Sequence, residues 1–177
     1  MEAKGVILDA FERIRESLHK DMSDLSVEEL HREPVPPIGW LTWRLTRSDD
    51  SQLSRLAGLE QAWIAEGWHA RFDMAPSPSD FGPGLTHTRE QVASFRAPDS
   101  KTLLEYYDTV SQRCHPYLEA LTPQELDRLL NEPRFQPLPT VAVRLVSILH
   151  SDTQISGQIT YLRSLHRRGG WFPREGA

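Results

Sequence analysis

The chain has 177 residues, 38% of them hydrophobic and 25% charged, with a formal net charge of -5 and a single cysteine, Cys114. That length suits one domain with a core of ordinary size, and the mild negative charge, with no basic block, argues against a nucleic-acid binder. One cysteine leaves neither a disulfide framework nor a zinc-finger spacing, and the charges scattered through MEAKGVILDAFERIRESLHK point away from a signal peptide or a spanning segment. The expectation is a single cytoplasmic domain over residues 1–177, monomer or homodimer, with small-molecule partners and neither nucleic acid nor membrane.

Val6, Ile7, Ala10, Phe11, Ile14 and Leu18 recur at helical spacing with charges between them, which predicts a helix over about residues 4–21. Ser26 followed by Glu29 is a capping-box pattern for a short turn of helix, and Pro34, Pro36 and Pro37 end it. A second long helix restarts at Ile38 and carries Trp40, Trp43, Arg44, Arg47 and Ser51 at steps of three or four. Residues 72–87, with Pro76, Pro78, Pro83, Gly82 and Gly84, read as a surface loop long enough to be a lid.

Thr88 to Gln91 repeats the capping pattern, and Asp99 or Ser100 opens a third long helix to about Leu121, with a kink expected at Pro116. Thr122-Pro123 is a cap with proline at the first helical position. From Thr140 a fourth long helix of roughly 28 residues follows, in which Gly157 suggests close helix contact. No segment reads as a strand. Four long helices with short helical turns in their connections predict an all-α antiparallel four-helix bundle.

Five segments together resemble the DinB-like superfamily: GWLTWRLTRSDD at 39–50, GWHARFDM at 67–74, TVAVRLVSIL at 140–149, SGQITYLRSL at 156–165 and GGWFP at 169–173. Within it the chain is similar to the actinobacterial branch near mycothiol-dependent transferases and maleylpyruvate isomerase. The resemblance implies a helical bundle with a metal held by a second-helix histidine and two last-helix groups spaced i and i+4, a spacing that puts both on one helix face. At those three positions this sequence has Arg44, Ser151 and Ile155. Arginine and isoleucine cannot coordinate and serine is a poor ligand for zinc or nickel, so the expectation is no metal and no cofactor, with mycothiol only as a co-substrate. His150 and Asp152 flank the lost position but are rotated by about 100° per residue from the shared face.

Arg44 is the informative substitution, because a guanidinium in a bundle interior must meet an anion or hydrogen-bond acceptors. Two readings stand side by side: an internal salt bridge to Asp49, Asp50 or Asp152, and a cation that holds a substrate carboxylate, enolate or thiolate. In the second, Arg44, His150 and Ser151 are the candidate catalytic residues, His150 as general acid or base. Trp40, Trp43, Arg47, Asp50, Gln154, Ile155 and Gln158 are the candidate substrate contacts. The tryptophans also fit an ordinary core. His69 and His87 read as exposed-loop histidines, Cys114 as a small core residue that does not face its neighbour His115, and Arg163, His166, Arg167 and Arg168 as a solvated basic last turn. The functions that follow are a metal-independent cyclase, isomerase or addition enzyme; a mycothiol-dependent transferase; and a binding protein without turnover.

Overall fold

The computed structural model describes residues 2–79 and 87–167. Four long helices carry the fold: α1 (Ala3–Met22), α3 (Ile38–Ala57), α7 (Ser100–Glu119) and α9 (Val141–His166). Short helices fill the connections: α2 (Val27–Leu30), α4 (Ala62–Ala65), α5 (Trp68–Arg71), α6 (Arg89–Ser94) and α8 (Pro123–Asp127). Among the described residues no strand forms, only one isolated bridge between Leu129 and Thr140.

The ends of the helices follow local chemistry. The Ser26 and Thr88 side chains each accept from a backbone N–H three residues on, with Glu29 and Gln91 bonding back to complete capping boxes. Asp99 and Thr140 cap α7 and α9 in the same way. Gly58 stops α3 in the left-handed region at φ 69°, a conformation that costs glycine nothing. The helix α7 continues through Pro116 to Glu119.

In the bundle α3 packs against α7 and α9, and α1 packs against the same two. Ser17, Asp21 and Asp24 meet Ser156, Thr160 and Arg163 in that order, so α1 and α9 run parallel. Asp50 meets Tyr106, and Glu60, just beyond the end of α3, meets Arg113, so α3 and α7 also run parallel. Gln52 pairs with Arg144 near the start of α9, and Arg44 lies beside Gln158 near its end, which makes α3 and α9 antiparallel. The order is therefore up, down, down, up. The core is continuous, from Leu18 and Met22 through Trp43 and Leu45 to Tyr106, Leu145 and Ile148. Each aliphatic side chain wholly buried there contributes about 1.5–3 kcal/mol.

Several readings of the sequence change here. The helices α4 and α5 lie where no helix was predicted, because segments of four residues show no periodicity. Gly157 faces solvent, and a Cβ added there would meet nothing within 4 Å. Gly39 is the tight one, where a Cβ would stand 3.1 Å from the Leu30 carbonyl oxygen. The basic last turn is paired rather than merely solvated: Arg163 bonds Asp24 at 2.8 Å and Arg167 bonds Glu29 at 3.1 Å, tying α9 to the turn after α1. The Arg167 bond, with the Ser26 backbone N–H, holds Glu29 down at about 2. Arg168, the segment 169–173 and the centre of the proline-rich loop, residues 80–86, lie outside the described residues.

Candidate functional site

The first turns of α3, Val35 and Pro36 just before it, the start of α6 and the far end of α9 line an open cavity of about 560 Å³. Its walls include Trp40, Leu41 and Val92, and its polar groups are Arg44, His87, Arg89 and Gln158. Among the described residues two guanidinium-bearing side chains and no carboxylate line it. Such a volume falls in the range of small-molecule sites, and the sign of its charge suits an anion.

Trp40 donates its indole N–H to His87 Nδ1 at 3.2 Å, and the His87 ring stacks on Trp43 at 5.5 Å between centroids. An indole nitrogen only donates, so the neutral imidazole carries its proton on Nε2. His87 is half-buried. It was expected as an exposed loop histidine, and only the meeting of residues 40 and 87 across the fold brings it to this wall.

Arg44 is half-buried in the same wall. Its guanidinium stands 5.7 Å from the Trp40 ring centroid, and its Nε is buried without a hydrogen-bond partner among the described residues. Burial lowers its pKa, and the charge of Asp152 works the other way. Among the described residues no carboxylate oxygen lies within the 4.0 Å of an ion pair, so the predicted salt bridge to Asp49, Asp50 or Asp152 does not form.

Arg47, one turn on, has acceptors on its terminal nitrogens where Arg44 has none among the described residues, although its Nε is likewise unpartnered. It is wholly buried, donates to Gln61 Oε1 at 2.9 Å and the Ser77 carbonyl oxygen at 3.2 Å, lies 3.5 Å from Asp50 Oδ2 and stacks over Trp63 at 4.5 Å. Asp50 in turn accepts from the Ala62 and Trp63 backbone N–H groups at 2.8 Å and from Tyr106 Oη at 2.7 Å. This knot pins α4 and α7 to α3. Neither Arg47 nor Asp50 lines the cavity.

Behind Arg44, Asp49 of α3 and Asp152 of α9 meet in the bundle interior, 2% and 0% exposed. Among the described residues Asp49 Oδ1 and both Asp152 oxygens have no other hydrogen-bond partner. With one proton between them, one carboxyl donates to the other. Burial pushes Asp49 up to about 8, against the hydrogen bond with Asp152, and burial with the charge of Asp49 raises Asp152 well above the usual carboxylate range. The sequence offers both as partners for Arg44, and Asp152 also as a neighbour of the lost metal-ligand position. Nothing in their spacing signals the pairing, which joins two helices across the core.

The remaining sequence-derived residues scatter. His150 and Gln154 are solvent-exposed, Ser151 is half-buried, and none of the three lines the Arg44 cavity. Ile155 is 3% exposed in the core, with Trp43 at 0% and Trp40 at 4%. Trp40, Arg44 and Gln158 are the predicted residues that the fold brings together. Cys114 is wholly buried, and burial pushes its thiol up to about 11, while His115 turns away to Glu119 at 3.3 Å.

At the three positions where the resemblance implies metal ligands, the structure presents a half-buried guanidinium, a hydroxyl and a buried isoleucine. Among the described residues no group of three or more His, Cys, Asp or Glu side chains is placed to hold a metal ion. The donor set does not fit a transition metal.

Comparison with known proteins gives a family and a fold. A sequence model described as the DinB superfamily matches residues 10–151. A solved structure described as the conserved protein of locus from Enterococcus faecalis superposes with a TM-score of 0.82 at 25% identity, over 93% of this chain and 97% of that one. No curated protein matches. No described helix is long and apolar enough to cross a membrane.

Proposed function

The chain belongs to the DinB superfamily, and on that premise we propose that it is a small-molecule enzyme that works without a metal and holds an anionic group of its substrate on Arg44. The observation that carries this reading is the Arg44 environment: a half-buried guanidinium that forms no ion pair among the described residues, in a 560 Å³ cavity where they add Arg89 and no carboxylate. A carboxylate or enolate entering there would receive charge-assisted hydrogen bonds and offset the desolvation of Arg44.

Three groups would share the work. Arg44 binds and orients the anion and stabilises charge that builds on it. Trp40 supplies an apolar wall and fixes the tautomer of His87 through its indole N–H. His87 then presents a neutral imidazole to the cavity as the proton carrier. Gln158, exposed on α9, adds a neutral hydrogen-bonding group. The reaction classes this set suits are isomerisation, cyclisation and addition, in which a proton moves and an oxyanion forms without redox chemistry.

Trp40 and Trp43 provide a fluorescence reporter at the cavity. Titration with benzoate, benzamide and benzylthiolate should quench wild-type fluorescence with the anions only, and Arg44→Ala should lose the response by at least tenfold in affinity while its melting temperature stays near that of the wild type. Equal response to benzoate and benzamide would contradict the reading. So would a stoichiometric transition metal in protein purified without a polyhistidine tag.

A further inference from the structure

A second cavity, of about 380 Å³, opens between α1, α3 and α7. Leu8, Phe11, Leu53, Val110 and Leu118 make its walls apolar. Among the described residues no lysine or arginine lines it, whereas Asp49 does, with Asp9 and Glu12. Those last two are more than half exposed, and each already holds an arginine: Arg13 on Asp9 at 2.7 Å and Arg15 on Glu12 at 3.0 Å. Asp49 is different. It is 2% exposed, and its Oδ1 has no hydrogen-bond partner among the described residues, so a buried carboxyl oxygen is left over beside an apolar chamber.

We propose that this cavity is a second ligand site, one that takes a small apolar amine and seats its ammonium group on Asp49. The size fits a ligand at the small end of the usual range. A ring or short alkyl body fills the Leu, Phe and Val walls, and an ammonium brings up to three N–H donors to the carboxyl oxygen that the shared proton leaves unmet. Desolvation of a lone carboxyl group disfavours its charge, and a cation brought next to it removes that penalty. A neutral alcohol would fill the same walls but bring a single O–H donor and no positive charge. The site is independent of the Arg44 reading: the two cavities have no lining residue in common and prefer opposite charges.

The test is calorimetric titration of the full chain at neutral pH with phenethylamine and with 2-phenylethanol, an isosteric neutral probe. Wild type should bind the amine at least tenfold more tightly than the alcohol. Asp49→Asn should remove that preference and leave alcohol binding unchanged. Ser111→Trp, which fills the chamber from α7, should abolish binding of both probes, and it decides the matter should Asp49→Asn fail to fold. Arg44→Ala should keep the amine preference whatever happens to its binding of benzoate, so failure here is distinct from failure of the anion site. Equal binding of the two probes by wild type, binding of neither, or an amine preference that survives Asp49→Asn or Ser111→Trp would overturn the proposal.

Discussion

Arg44 and Arg47 stand one turn apart on α3, yet the second is sealed in a knot of acceptors and the first faces a cavity with an aromatic ring as its main neighbour. A guanidinium buried with its acceptors is a building part, since its charge is already answered. One that is half-buried and unanswered waits for a ligand. The same contrast recurs between the carboxyl groups next to each other on this helix: Asp50 accepts from four donors, whereas Asp49 has an oxygen with none.

The contrast breaks most visibly on stability. Arg47→Ala should cost about 3–5 kcal/mol in chemical denaturation, because it opens a buried pair and leaves Gln61 and Asp50 short of a donor. A loss under about 1 kcal/mol would erase the distinction between the two arginines.

The carboxyl pair gives the next largest effect. An unfolded aspartate releases its proton near 3.8, whereas Asp49 in the fold holds one up to about 8. Between those values the native state binds more protons than the unfolded one, so stability should fall as pH rises, by about 1.4 kcal/mol per pH unit for each proton released. Asp49→Asn should flatten the profile of denaturation free energy between pH 4 and pH 8. An unchanged slope would mean that the pair does not titrate as described.

Smaller effects sharpen the comparison. Gly157→Ala, on the open face of α9, should gain about 0.5–1 kcal/mol, and the same change at the crowded Gly39 should not. Arg44→Ala should leave stability within about 0.5 kcal/mol, as expected of a side chain that holds no native partner in place.

Much of the frame was legible in the sequence. The spacing of Ile14 and Leu18, the restart at Ile38 after the prolines, the cap at Asp99 and the long apolar run after Thr140 place all four long helices to within about two residues, and the caps at Ser26, Thr88 and Thr122 place short ones. Those signals are local, and hydrogen bonds within one turn enforce them. The site was legible only at Trp40, Arg44 and Gln158, which the family resemblance located. His87 comes from a loop 47 positions away from Trp40, and Asp152 reaches Asp49 across the core, so neither partnership leaves a trace in spacing. His150 drew attention by its chemistry, but the turn of the helix aims it at solvent.

The most direct test of the central claim is a crystal structure of the protein soaked with benzoate. The account requires the carboxylate to lie within hydrogen-bonding distance of the Arg44 guanidinium, with the ring against Trp40. Benzoate bound elsewhere, or Arg44 closed onto Asp152 with the cavity excluding the ligand, would contradict it.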